Sequence, residues 1–176
     1  MVSSRYLSYL LRHHPEEKGL KLDKYGWCNV NQLLVALNMT QDELDDIVDN
    51  NTRYVYNDDK TCIKAAHGHS VNVSYDEVKA LPPEHLYHGT SRKFLESIKK
   101  NGLQKMSRDA IHLSISKEVA KNVALRHTNH NMLYVMIFEL DIKSMLKDGY
   151  NFYKSEDGVW LVQQDIPYKY LKEVHL

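Results

Sequence analysis

Apolar residues recur at helical spacing in the first third of the chain. Tyr6, Leu7, Leu10 and Leu11 share one face of a short helix that Ser4 is placed to cap. Pro15 stops that helix because proline has no N–H to continue it, which leaves Arg12 and His13 in the last turn. Asn31 opens a second helix through QLLVALN, and Thr40 with Glu43 forms the capping-box pattern of a third that turns Leu44, Ile47 and Val48 inward. RYVYNDDKTCIKA then alternates on both sides of an Asn-Asp-Asp turn, the signature of a β-hairpin.

Beyond residue 80 the texture changes. HLYHGT predicts a strand ending in a turn. SRKFLESIKKNG predicts a helix with Phe94, Leu95 and Ile98 inward and Gly102 just past its end. AIHLSIS is a strand, KEVAKNVALRH a helix, and NMLYVMIFEL a long, nearly continuous apolar strand of the buried kind. DIKSMLKDG predicts a short helix, FYKSEDGVWLVQQ a hairpin, and YLKEVHL a last strand. The fold class is therefore α+β. Three helices followed by a hairpin is the element order of a winged-helix module. SYDEVKALPPEHL, with Pro82-Pro83, is the expected connector between domains 1–80 and 81–176.

Composition narrows the functional classes. The chain has 176 residues, 26% charged and 43% hydrophobic, with 23 basic and 23 acidic side chains. The first 80 residues hold nine Lys and Arg against 12 Asp and Glu, and the rest hold 14 against 11. Zero net charge excludes a protein that grips nucleic acid by bulk charge, so a polyanion must be held by a few placed cations. No apolar run approaches the ~20 residues that span a bilayer, and the first residues lack a secretory pattern. Cys28 and Cys62 form neither a disulfide framework nor a metal cluster, so a reducing, cytoplasmic setting is expected.

Seven of the ten histidines fall in clusters at predicted element ends: Arg12-His13-His14, His67-Gly68-His69-Ser70, His88-Gly89-Thr90, His112-Leu113-Ser114 and Arg126-His127. No zincin pair or paired-Cys pattern accompanies them, which makes metal the weaker reading. Arg12 and Arg126 each end a predicted helix, where a cation suits the macrodipole. The same placement suits phosphate capture, since a guanidinium matches two phosphate oxygens and imidazole adds a donor. Lys64 and the histidines around Gly68 supply further donors, and Tyr87-His88-Gly89-Thr90 could meet a nucleotide, although neither a Walker loop nor a GxGxxG turn is present. Asp157-Gly158-Val159-Trp160 reads as a hairpin turn beside a core tryptophan.

Taken in order, SRYLSYLLRHHPE, LDKYGWCNVNQLL, IKAAHGHSV, PPEHLYHGT, SIKKNGL, IHLS, LRH and GVWL resemble the NAD-dependent RNA 2′-phosphotransferase family, from about Ser4 to Leu171. The resemblance implies an N-terminal winged-helix lobe for RNA and a C-terminal ADP-ribosyltransferase-like lobe for NAD, consumed as co-substrate without a metal. It implies removal of an internal RNA 2′-phosphate, of the kind left at a tRNA splice junction. The phosphate is ADP-ribosylated with loss of nicotinamide, and the ribose O2″ then attacks it. The products are 2′-OH RNA and ADP-ribose 1″,2″-cyclic phosphate. Carried over, Arg12, His13, Lys64 and Arg126 are the catalytic set, with His69 joining them on the RNA 2′-phosphate. His88, Gly89, Thr90, His112, Leu113, Ser114 and Val159 match the NAD-contacting positions.

Two departures accompany the match. Lys64-Ala65-Ala66-His67-Gly68-His69 stands where the family has Arg-Ala-x-Gln-Gly-His, so the charge is kept but the bidentate grip is lost. Thr128 stands where the family has Gly after Arg126-His127. The expected partners are a tRNA-like RNA and NAD, with no membrane and a monomeric chain. Two alternatives remain open: an ADP-ribosyltransferase that caps phosphorylated RNA or DNA ends, and a non-catalytic RNA- or nucleotide-binding relative.

Overall fold

A computed structural model describes residues 2–175; Met1 and Leu176, the latter ending the predicted last strand, lie outside the described residues. The chain forms two compact units. One gathers the chain up to Glu77 with Ser107–Asp109 and Ser155–Asp157, and the other holds Val78–Met106, Ala110–Lys154 and the chain from Gly158 onward. The Pro82-Pro83 segment thus groups with the second unit, where the Ala80 N–H donates to the Phe152 carbonyl.

In the first unit, α1 (Ser4–Arg12), α2 (Val30–Leu37) and α3 (Gln41–Asp49) pack with an antiparallel sheet of β1 (Cys28–Asn29), β2 (Tyr54–Tyr56) and β3 (Cys62–Ala65), in the order β1-β3-β2. Ser3, not Ser4, caps α1, its hydroxyl accepting from the Tyr6 N–H. The Ser4 hydroxyl is engaged elsewhere, with Asn51 and Tyr54. α2 likewise starts earlier than predicted, on Asn29, whose side chain accepts from the Gln32 N–H. The Thr40–Glu43 capping box of α3 is present in both directions. The hairpin forms in the register Tyr54↔Ala65 and Tyr56↔Ile63. Leu7, Leu10, Leu11, Leu33, Leu44 and Ile63 are fully buried in one cluster with Cys28. Burial raises the Cys28 thiol pKa to about 11.

The second unit has two antiparallel sheets. β4 (Tyr87–Ser91), β6 (Val135–Leu140) and β9 (Leu171–Val174) run in the order β4-β6-β9, and β5 (Ile111–Leu113), β7 (Tyr153–Lys154) and β8 (Trp160–Val162) in the order β5-β8-β7. A Tyr87↔Ser114 bridge ties β4 to the end of β5. The helices are α4 (Leu95–Asn101), α5 (Lys117–His127) and α6 (Ile142–Lys147). Two expectations change here. Phe94 ends a 3-10 turn and is exposed, while Ile98 is buried and Leu95 packs half-buried against the core. The long apolar strand begins only at Val135, because Asn131 caps a 3-10 turn over Met132–Tyr134 and leaves Leu133 in solvent.

Gly89 lies inside β4, not in a turn after it. A Cβ there would fall 1.9 Å from the Ala120 carbonyl oxygen, so the backbone of α5 rests directly on the strand. Gly89→Ala should therefore lower unfolding free energy by about 3 kcal/mol or more, since backbone must yield. Urea denaturation reads the loss, and a stability equal to the parent's would refute the contact.

Candidate active site

The first unit assembles a cationic pair at the end of α1. The last carbonyls of a helix have no partner within it. Here the Arg12 carbonyl accepts from the Ser70 N–H at 2.9 Å and the Val71 N–H at 3.3 Å. The loop that supplies these donors crosses the Arg12 side chain. Gly68, at φ +86°, would place a Cβ 3.6 Å from Arg12 Nη1, so bare backbone covers the guanidinium. His13 Nδ1 lies 2.9 Å from the Ser70 hydroxyl. One loop thus fixes both residues.

Their electrostatics follow from that packing. Burial pulls the Arg12 pKa below the usual arginine value, with Arg53 adding to the pull and Tyr54, Asp157 and Tyr75 opposing it. The guanidinium remains charged at any physiological pH. Its Nε is buried without a hydrogen-bond partner among the described residues. His13 is lowered from the ordinary 6.5, first by burial and then by the charges of Arg12, His14, His69 and Arg108. Near neutral pH it is an uncharged imidazole that can take up a proton when an anion arrives.

Lys64 is placed differently from expectation. It sits in β3 at 6% exposure, with Nζ 2.6 Å from Glu156 Oε1 and 4.5 Å from the centre of the Trp27 ring. Its charge is already matched by a carboxylate. His67 Nε2 pairs with Asp157 at 2.9 Å. Burial pushes the Asp157 carboxyl up, but the hydrogen bond and charge of His67 and the Ser155 hydroxyl outweigh it and hold the pKa below the usual range.

His69 is not presented to solvent. It is 1% exposed, its Nδ1 lies 3.2 Å from Tyr75 Oη, and that hydroxyl donates to Asp109 Oδ2 at 2.5 Å. Burial, then the Asp109 charge and hydrogen bond, raise the Tyr75 hydroxyl pKa. The ring braces the loop from within. Sequence reasoning missed Tyr75, Asp109, Glu156, Arg53 and Arg108. The acids of SEDG were visible only as turn residues, and Tyr75 and Asp109 carry no local signal.

In the second unit the expected nucleotide-contacting residues divide. His88 Nδ1 lies 3.0 Å from the His112 carbonyl, so that nitrogen carries the proton. Ser114 exchanges backbone hydrogen bonds with Tyr87 at 2.7 and 2.9 Å. The β5–β8 ladder ends at the Leu113↔Trp160 pair, with Ser114 and Val159 the next residue on each strand. His88, His112, Ser114 and Val159 therefore converge. Leu113 does not join them, being 1% exposed in the core, and Thr90 is also buried. The missing side chain of Gly89 serves α5. Arg126 is exposed in the last turn of α5, and Thr128 caps that helix with its hydroxyl on the Leu125 carbonyl. No group of three or more His, Cys, Asp or Glu side chains could hold a metal ion among the described residues, and no helix there is long and apolar enough to cross a membrane.

An α+β protein that seats an arginine and a neutral histidine on one glycine-bearing loop is equipped to receive an anion. Over residues 1–164 the chain matches the RNA 2′-phosphotransferase, Tpt1 / KptA family, and it belongs to that family. It is 45% identical over 175 residues to the "Probable RNA 2'-phosphotransferase" of Fusobacterium nucleatum, covering 96% of this chain and 95% of that protein. Like-named proteins of Flavobacterium johnsoniae (44% identity, 96% and 93% covered) and Burkholderia pseudomallei (42%, 97% and 93%) are also similar. The chain is thus an enzyme of a family that transfers the 2′-phosphate of RNA.

Two outcomes check the geometry. In an NMR titration His13 should show a pKa below 6.5 that rises when a phosphate dianion is added; a pKa indifferent to phosphate would remove His13 from the site. Lys64→Met should cost about 1–3 kcal/mol of stability by stranding Glu156, and adding Glu156→Gln should recover part of it. Additive losses in that double-mutant cycle would show the pair to be uncoupled.

Proposed function

We propose that this enzyme removes an internal RNA 2′-phosphate in an NAD-dependent reaction, yielding 2′-OH RNA, nicotinamide and ADP-ribose 1″,2″-cyclic phosphate. In this reading the first unit is a winged-helix RNA-binding domain and the second an ADP-ribosyltransferase-like domain for NAD. The observation that carries it is the seating of Arg12 and His13 by the Gly68–Ser70 loop, within a chain that belongs to the 2′-phosphotransferase family. A phosphate dianion is already a nucleophile, so the site needs to position and neutralise it more than to deprotonate it. Arg12 offers the planar fork that matches two phosphate oxygens, and His13 adds a donor whose proton the dianion itself stabilises.

The residues of the second unit suit NAD in chemistry. His88, His112 and Ser114 offer hydrogen-bonding groups to ribose hydroxyls and an amide, and Val159 offers an apolar face to a ring. The indole Nε1 of neighbouring Trp160 is buried without a hydrogen-bond partner among the described residues. NAD supplies, when bound, a ribose carbon whose nicotinamide departs without a proton. Arg126 completes the proposed set by offsetting charge on the phosphate as its ester bond to the RNA breaks.

Lys64 joins the phosphate only by exchanging Glu156 for it. Its present pairing favours a second reading, in which transfer to the phosphate occurs but release is slow and the ADP-ribosylated end persists. Incubation with NAD and an internally 2′-phosphorylated oligonucleotide separates the readings. 2′-OH RNA with cyclic phosphate supports the first, a persistent ADP-ribosylated RNA the second, and absent nicotinamide release refutes both. Arg12→Ala and Arg126→Ala should each lower turnover by about a hundredfold or more with the fold intact, and full activity in either would overturn the assignment. Glu156→Gln should lower the KM for RNA several-fold if Lys64 becomes available; an unchanged KM would confine Lys64 to a structural role.

A further inference from the structure

Arg108 belongs to none of the positions assigned above, yet its backbone is fixed beside them. Ser107–Asp109 packs with the first unit, and two independent contacts pin it there. The Asp109 N–H donates to the His69 carbonyl at 3.1 Å, and the buried Asp109 carboxylate accepts from Tyr75 and lies 3.6 Å from the His69 ring. His69 is flanked by Gly68, which covers the Arg12 guanidinium, and by Ser70, which bonds both Arg12 and His13. The loop that seats the cationic pair on one side therefore holds residue 109 on the other. Arg108 is exposed one residue before that pin, and its charge reaches the His13 ring. The acid next to it in sequence accepts from the Tyr75 hydroxyl.

An internal 2′-phosphate differs from a terminal one by its neighbour. It stands on the carbon next to a 3′,5′-phosphodiester, so two anionic groups are presented side by side. A site for it needs a second cation adjoining the first, and phosphodiester contacts are the usual work of an exposed arginine. We propose that Arg108 contacts the phosphodiester adjoining the 2′-phosphate held by Arg12 and His13, and so selects internal over terminal 2′-phosphates. Tyr75, Asp109 and His69 are its positioning residues. This rests on the function proposed above.

The test compares wild type, Arg108→Ala and Arg108→Lys on two oligonucleotides of one sequence. One carries an internal 2′-phosphate, the other a 2′-phosphate on its 3′-terminal nucleotide with a free 3′-OH. Both turnover and equilibrium binding by fluorescence anisotropy are measured. Arg108→Ala should raise KM and Kd for the internal substrate about tenfold, leave kcat and the terminal substrate nearly unchanged, and reduce the slope of log affinity against log salt by about one. Arg108→Lys should restore part of the affinity and the salt slope. Equal losses on both substrates, no loss on either, or a fall in kcat alone would overturn the proposal. A wild type that binds both RNAs but releases no nicotinamide would instead sink the proposed function, while the anisotropy comparison still decides the part played by Arg108.

Discussion

The C-terminal carbonyl of a nine-residue helix sets the geometry of the candidate site. The Arg12 oxygen has no partner within α1, and the N–H groups of Ser70 and Val71 complete it. Closing this gap draws a loop from beyond β3 across the end of the helix. The other features follow: Gly68 backbone over the guanidinium, the Ser70 hydroxyl on His13, and His69 turned into the interior against Tyr75. The leucines of α1, buried in the core of the first unit, hold the helix in place, and the loop orients its last residues. Packing and hydrogen bonding thereby divide the work.

Polar groups of the first unit fall into two sets by what they face. Lys64 pairs with Glu156, His67 with Asp157, and His69 with Tyr75 and Asp109 in buried or half-buried positions. Such pairs add little net stability over an apolar core but are costly to break, so they hold one arrangement against others. Arg12 and His13 are held by backbone and a hydroxyl, and neither is held by a carboxylate in an ion pair among the described residues. Position 64 falls in the first set. A lysine fits under Trp27 and reaches a single carboxylate oxygen without needing the flat fork of a guanidinium.

Local signals in the sequence were legible where short-range chemistry decides the outcome. The Thr40–Glu43 box, α5 from Lys117 to His127, and the hairpin around Asn57–Asp59 depend on residues within a few positions of one another. Ser4 misled because its hydroxyl is claimed by Asn51 and Tyr54, about 50 residues away, and the cap passes to Ser3. Met132–Tyr134 is apolar enough for a strand, yet the Asn131 side chain turns the backbone first. In the site, Arg12 and His13 could be found because they close a readable helix. Glu156 and Asp109 could not, since nothing within their own segments says that Lys64 or Tyr75 awaits them. β1, two residues long, is defined by its pairing with β3 and by a bridge from Leu22 to Cys28.

The bare peptide laid over Arg12 has a consequence for how quickly and tightly an anion can be met. A fully hydrated guanidinium must shed ordered solvent before it can touch a ligand, and that dehydration opposes association. Here much of the shedding is completed when the chain folds, and the side chain's rotational freedom is surrendered at the same time. What remains for the encounter is largely attraction, felt through a medium less able to dampen it than open water.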